Sequence, residues 1–488
     1  MTLIASEEFA SAVFTGAWTP AKGGDAPVVS PSSGEVLGRT GIADADDVRD
    51  AAARAALAQR GWAAASFEER AAVLRRAGDL LEANAGEIMG WLRREGGAAA
   101  GMAGFQVHVA AGECFEAAAL ASQPHGEILR TGKPRLSFSR QVPAGVVGVI
   151  APFNVPLILG IRSVAPALAV GNAVILKPDP RTAVCGGAVM AEVFRRAGVP
   201  EGVFQVLPGG AAAGEALVAD PHVRVISFTG STAAGRRVGE AAGRHLKRVH
   251  LELGGNSPLV VLDDVDVDVD AAASVGAWGS FLHQGQICMT AGRHLVHESV
   301  ADAYVDRLSA RADALTVGDA ESDGSALGPV IDAGQRDKIH ALVTGSVDHG
   351  AELRAGGTYE GLFYRPTVLD RVDAATPAYA EEVFGPVAPV VRFSSVDELV
   401  ELANSTEYGL SLGVLTRNPM RGMEIADRVP SGIVHINDQT VDDEAVAPFG
   451  GVGDSGTGSR FGGTRANLEA FTETQWVTMQ ADPARYPF

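Results

Sequence analysis

Two side chains stand out by type and setting. Cys288 lies in Gln284-Gly285-Gln286-Ile287-Cys288-Met289-Thr290, and Glu252 lies thirty-six residues earlier in Leu251-Glu252-Leu253-Gly254-Gly255. A thiol and a carboxylate, each in a glycine-containing segment, are the two groups needed to form a thioester and hydrolyse it. Each has a plainer alternative. A free cysteine is often a small buried hydrophobe, which fits Cys114 and Cys185 on predicted helices with apolar neighbours. Cys288 instead follows Gly285 and two glutamines on a loop or helix start, where backbone N–H groups would lower its pKa. Glu252 ends an otherwise apolar strand. It is either a solvated strand-end carboxylate or a base whose pKa burial raises toward the working range.

Further candidates surround this pair. Asn154, between Phe153 and Pro156 just before a predicted helix, is either a cap or an amide donor to a developing oxyanion. Lys177 closes a strand, where it is solvated or bonds ribose hydroxyls. Phe228-Thr229-Gly230-Ser231-Thr232-Ala233-Ala234-Gly235 joins a strand to a helix whose first N–H groups suit a pyrophosphate, although it is neither GxGxxG nor a Walker A sequence. His294 and His297 lack a third ligand nearby, so no metal site is expected. The acidic run 263–270 reads as a solvated turn and helix start, with calcium binding the lesser alternative.

The elements that must position these residues follow from pattern. Residues 44–121 read as helical, with Asp44 as a cap, and 135–142 alternate as a half-exposed strand. From 145 onward strands at 146–151, 173–176, 203–207, 223–228 and 249–251 alternate with helices at 156–170, 182–197, 211–219 and 233–244. Such alternation predicts a doubly wound parallel sheet with its ligands at the carboxyl ends of the strands. Asn154, Lys177, Gly210, Thr229 and Glu252 fall there. A second α/β run begins with a strand at 258–262 and a helix at 269–283 leading to Cys288, and continues to about 437. Residues 468–477 read as an ordered tail that pairs with another strand.

Bulk properties exclude several classes. A chain of 488 residues is too long for one ordinary core and divides into two or three domains. A net charge of −19 gives no electrostatic reason to bind nucleic acid. Three cysteines, Cys114, Cys185 and Cys288, are no disulfide framework and fit a reducing cytoplasm. The first 17 residues lack the basic start of a secretory signal. The most apolar stretch, 142–176, is interrupted by Pro143, Pro152, Asn154, Pro156, Arg162 and Pro166, so buried strands and a core helix are expected rather than a membrane span.

Taken together and in order, the motifs resemble the NAD(P)-dependent aldehyde dehydrogenase family over essentially the whole chain. The matching pieces are Ala151-Pro152-Phe153-Asn154, Leu176-Lys177-Pro178, Leu207-Pro208-Gly209-Gly210, Phe228-Thr229-Gly230-Ser231-Thr232, Leu251-Glu252-Leu253-Gly254-Gly255, Gly285-Gln286-Ile287-Cys288, Glu381-Glu382-Val383-Phe384-Gly385-Pro386 and Pro448-Phe449-Gly450-Gly451. The segments 152–156, 177–182, 461–463 and 471–476 look like the benzaldehyde and vanillin dehydrogenase subgroup.

The resemblance implies an α/β fold with a doubly wound cofactor domain (1–119 and 143–253), an α/β catalytic domain (254–453), and a small β oligomerisation flap with the tail (120–142 and 454–488). It implies oxidation of an aldehyde, aromatic in this subgroup, to the acid, in a homodimer or homotetramer. Cys288 is then the nucleophile, Glu252 the general base and Asn154 the oxyanion amide. Lys177 and Glu382 hold ribose hydroxyls, and Phe384 contacts the nicotinamide side. Ile150, Pro152, Pro180, Gly210, Gly214, Phe228, Thr229, Gly230, Ser231, Leu253 and Gly254 complete the cofactor set. The cofactor is NAD, with NADP as the alternative: Pro180 stands where NAD-preferring members often carry a glutamate that would repel a 2′-phosphate, and Arg181 beside it could favour one. Phe153 replaces a common Trp, and Arg460 a commonly acidic residue.

Asn154, Ile158 and Arg162, spaced by four, are expected on one helix face bordering the substrate, with Leu282, Ile287, Met289 and Phe449. Arg162 either approaches ring substituents or sits in a structural salt bridge. Two rivals remain open: a CoA-acylating dehydrogenase, which Glu252 argues against, and a catalytically silent nucleotide-binding protein on the same fold.

Overall fold

The computed structural model describes residues 2–265 and 268–488; Asp266 and Val267, in the middle of the acidic run, lie outside the described residues. Two seven-stranded sheets dominate. In the first, five parallel strands run in the order Arg248–Glu252, Val223–Thr229, Val146–Ile150, Ala173–Lys177, Phe204–Val206. Two short antiparallel strands, Ala12–Phe14 and Trp18–Pro20, extend its far edge. Val146–Ile150 and Ala173–Lys177 are buried along their whole length, as expected where helices cover both faces. In-register pairing sets Ile150 beside Lys177 and Thr229 beside Glu252, so the polar ends emerge on one side of the sheet.

Helix Pro156–Ala169 starts with Pro at its first position, where the missing N–H costs nothing, and the chain turns back at Gly171 with φ +98°. Asp44 caps helix Ala45–Ala64 through a reciprocal capping box with Asp47. The expected helix over 182–197 is more broken: a 3-10 turn Pro180–Thr182 and a π-helical stretch Val184–Ala188 precede an α-helix at Val189–Ala197. The buried carboxylate of Glu95 accepts the N–H groups of Val184 and Cys185 at the start of this stretch. Cys114 and Cys185 are fully buried.

The second sheet has the order Glu352–Ala355, Thr367–Asp370, Val387–Phe393, Ala291–His297, Ser257–Val261, Ser411–Leu415, Ile433–Ile436. Helix Val269–Phe281 and a 3-10 turn Leu282–Gly285 lead from it toward Cys288. The tail does pair: Thr472–Met479 lies antiparallel to Leu136–Pro143, with Gly126–Ile128 as the third strand of a small sheet. Among the described residues no helix is long and apolar enough to cross a membrane.

Candidate active site

Cys288 stands on a turn, not at a helix start, and the loop before it is strained. His283 and Gln284 both take left-handed backbone angles (φ 51° and 57°), costing about 1–3 kcal/mol each. Side-chain bonds hold them there. His283 Nε2 donates to the Asn154 carbonyl at 2.6 Å, and Gln284 Nε2 donates to the Gly97 and Pro329 carbonyls at 2.9 and 2.7 Å. Burial lowers His283 to about 4, so the ring is neutral and Nε2 carries its proton. Gln286 Oε1 accepts the Ile331 N–H at 3.0 Å. Gly285 (φ +65°) is required: a Cβ there would lie 2.0 Å from the Gly385 carbonyl oxygen, the contact that seats this loop on the loop carrying Glu382 and Phe384.

Asn154 precedes helix Pro156–Ala169 instead of lying in it, so only Ile158 and Arg162 share the expected helix face. Asn154 is not the cap. Its Nδ2 donates one hydrogen to the Gln286 carbonyl at 2.8 Å, which leaves the second amide hydrogen free to donate. With the His283 bond to its own carbonyl, Asn154 is fastened twice to the loop that carries Cys288.

Glu252 is buried, and neither carboxylate oxygen has a hydrogen-bond partner. Burial raises its pKa well above the ordinary carboxylate value, opposed by the positive charges of Arg460 and Arg162 and by the Gly451 amide. The solvated alternative therefore fails. Gly254 and Gly255 let the strand end press inward: side chains there would collide with the Glu382 carboxylate at 2.4 Å and the Cys288 carbonyl at 2.5 Å. The expected lowering of the Cys288 thiol is reversed. Burial first, then the Glu382 and Glu252 carboxylates, push it up to about 12. The same interactions put both carboxylates within electrostatic reach of the sulfur.

Cys288 lies where two cavities meet. Asn154 and Leu159 share the junction, since all three line both. On one side a cleft of about 150 Å³ is lined by Pro152, Phe153, Thr229, Gly230, Ser231, Leu253, Gly254, Glu382 and Phe384 among others. It opens at the start of the 13-residue helix Thr232–Arg244, whose N-cap is Ser231. Phe384 meets Phe153 edge-on at 6.0 Å. Glu382 is pushed up to about 7 by burial and accepts the Gly255 N–H at 3.1 Å.

Ile150, Lys177 and Gly214 lie together, outside the lining of this cleft: a Cβ on Gly214 would meet Lys177 Cε at 3.7 Å and Ile150 Cδ1 at 3.8 Å. Lys177, lowered to about 8 by burial, donates to the Pro178 and Gly209 carbonyls at 3.2 and 2.7 Å. Gly210 is the N-cap residue of helix Ala211–Ala219, and the Phe228 ring packs over Gly230. Pro180 lines a separate groove with Arg181. Arg181 is already engaged: it pairs with Asp179 (2.9 Å) and Asp332 (2.7 Å) and lies 4.1 Å over the Phe153 ring. That engagement weakens the case for Arg181 as a 2′-phosphate ligand.

On the other side a larger cavity of about 740 Å³ is lined by Ile158, Arg162, Leu282, Ile287, Met289 and Phe449. Phe105, Trp278, His283 and Asp443 also line it, and sequence reasoning missed them. They come from distant segments with no local motif to flag them. Arg162 is buried in ion pairs with Glu113 (3.4 Å) and Asp443, and its guanidinium lies 4.3 Å over the Phe449 ring. It is thus both a structural salt bridge and part of the cavity wall.

Comparison with known proteins agrees with this architecture. Residues 18–477 match the model of the aldehyde dehydrogenase family. The chain is 65% identical, over 100% of both chains, to a vanillin dehydrogenase of Amycolatopsis sp.. It is 50% identical to an NAD(+) benzaldehyde dehydrogenase of Pseudomonas putida, covering 98% of this chain and 97% of that one. The crystal structure of a salicylaldehyde dehydrogenase from Pseudomonas putida G7 with salicylaldehyde superposes with a TM-score of 0.94 at 36% identity, over 98% of this chain and 99% of the other.

Proposed function

The chain belongs to the aldehyde dehydrogenase family, and we propose that it oxidises an aromatic aldehyde to the carboxylic acid with NAD. The observation that carries this reading is the position of Cys288 at the junction of a cleft at a helix start and an apolar-walled cavity, with Asn154 beside it.

The donors and acceptors around the cleft fit a dinucleotide. Glu382 and the third N–H of Lys177 suit ribose hydroxyls, the helix start at Ser231 suits a pyrophosphate, and Phe384 with Phe153 offers an aromatic wall. NAD, when bound, supplies the hydride acceptor that turns the aldehyde adduct on Cys288 into a thioester. The resting thiol is held protonated; Cys288 releases that proton to water and attacks as the thiolate, and Glu252 stays unprotonated for the hydrolytic step. The sulfur–carbon bond forms, and the oxyanion is met by the free Asn154 amide hydrogen and the Cys288 backbone N–H. Such a donor is worth about 3 kcal/mol of barrier. After oxidation Glu252 takes a proton from water, the water oxygen bonds to the acyl carbon, and the carbon–sulfur bond breaks to release the acid. Ile158, Leu282, Ile287, Met289 and Phe449 hold the ring.

The domain division given by the motifs is kept: 1–119 with 143–253 around the first sheet, 254–453 around the second, and 120–142 with 454–488 as the flap and tail. The flap exposes Ile128, Leu136, Trp476 and Met479, an apolar set suited to pairing with a second copy in a dimer or tetramer. A cytoplasmic setting suits three unpaired cysteines. An initial-rate panel of aromatic and aliphatic aldehydes with NAD and with NADP tests the reading. Acid formed without CoA and preference for aromatic aldehydes with NAD are expected; a requirement for CoA, or no cofactor reduction across the panel, would overturn it.

A further inference from the structure

The wall of the larger cavity carries three buried polar atoms without a partner: Arg162 Nη1, Asp443 Oδ1 and His283 Nδ1. His283 is fixed by its bond to Asn154 and belongs to the nucleophile loop. The other two belong to one ion pair. Arg162 and Asp443 touch through Nη2 and Oδ2, with side chains 4% and 8% exposed, so a donor and an acceptor are left over on the same dyad. A buried polar atom without a partner is destabilising, a cost that persists unless something arrives to satisfy it. Neither atom can serve the other's partner: the remaining Arg162 contact, from Nε, goes to Glu113.

We propose that the Arg162–Asp443 dyad is a subsite for an un-ionised hydroxyl on the ring of the aldehyde substrate. The hydroxyl hydrogen donates to Asp443 Oδ1, and its oxygen accepts from Arg162 Nη1. The inference rests on the reading that this cavity holds an aromatic aldehyde, and it adds Asp443 as a specificity-determining residue. A hydroxyl is the small group that is donor and acceptor at once. An ether can only accept and leaves Oδ1 unsatisfied. A phenolate meets the Asp443 carboxylate with a like charge, and Asp323, Asp438 and Asp442 line the same cavity. The groups facing the dyad are therefore Glu113 behind Arg162, these three aspartates, and Cys288 and Glu252, on both of which Arg162 acts electrostatically. Phe449, under the guanidinium at 4.3 Å, keeps the dyad beside an aromatic surface.

The test compares kcat/KM for benzaldehyde, 4-hydroxybenzaldehyde and 4-methoxybenzaldehyde with NAD, in the native protein and in Asp443→Asn, across the pH range in which the phenol ionises. In the native protein the hydroxyl compound is expected to be favoured over the methyl ether by about tenfold or more, since a site built to bond a hydroxyl rejects analogues that leave its groups unpaired. That preference should fall as the phenol ionises, while the benzaldehyde profile shows no matching fall. In Asp443→Asn the hydroxyl-to-ether ratio should drop about tenfold, and the phenolate should no longer be penalised as strongly. A native enzyme that oxidises all three aldehydes equally, with no phenol-linked fall, overturns the inference and leaves the aldehyde dehydrogenase reading standing. This comparison needs no variant, so misfolding of Asp443→Asn cannot shield the proposal. Failure to oxidise any aromatic aldehyde overturns the reading beneath it and removes the inference as well.

Discussion

The two cavities that meet at Cys288 are built differently. The smaller cleft is made largely of strand ends and glycine-bearing loops: Thr229, Gly230 and Ser231 on one strand–helix turn, Leu253 and Gly254 on the next strand end. The substrate-side cavity is made of side chains from scattered segments: Phe105, Ile158, Trp278, Leu282, Asp443 and Phe449. Strand-end glycines tolerate little change, because a Cβ on Gly255 would lie 2.5 Å from the Cys288 carbonyl oxygen. A side-chain wall can change residue by residue without disturbing the sheet. One chemistry can thereby be kept while the substrate varies.

The sharpest way to break this division is at the junction. Cys288→Ser should lose activity on every aldehyde by at least about 10³-fold, as removal of a covalent nucleophile does, measured as cofactor reduction with several substrates. A loss confined to some substrates would show that Cys288 belongs to the variable wall. Glu252→Gln should lower turnover by about 10²–10⁴-fold while leaving a single-turnover burst of reduced cofactor, because oxidation precedes hydrolysis. The pH profile has a fixed sign: Glu252 must be unprotonated to act, and burial has raised its pKa. Turnover should therefore fall as pH drops through a value above the ordinary carboxylate range, and rise on the alkaline side. Asn154→Ala should cost about 10²-fold in kcat by removing an oxyanion donor. A smaller effect is expected on the cofactor side alone. Glu382→Gln should raise the NAD concentration needed for half-maximal rate by about tenfold with little change in aldehyde preference.

The same contrast governs how much was legible beforehand. The cofactor-side motifs are contiguous in sequence, and the strand–helix alternation from 145 to 252 places them at one sheet end because parallel strands must emit their loops on the same side. Helix Ala211–Ala219 and the tail pairing of Thr472–Met479 appear where pattern put them. The cavity lining contributed by Phe105, Trp278 and Asp443 was not legible, since only long-range packing brings those residues together. Nor was the ionisation of Cys288. A glycine loop suggested N–H groups that would lower its pKa, but the tertiary fold buries the sulfur near Glu252 and Glu382, and desolvation with two negative charges wins. Arg162 shows the limit of helical spacing. Its helix face was right, yet pattern could not decide between salt bridge and cavity wall, and the fold makes it both.

The central claim is that a covalent acyl group on Cys288 links the two cavities. Intact-mass analysis and peptide mapping of Glu252→Gln after mixing with benzaldehyde and NAD tests it most directly. One benzoyl group per chain is expected, on Cys288, formed together with one equivalent of reduced cofactor. A burst of reduced cofactor with no acyl group on Cys288, or with the acyl group on another residue, would contradict it.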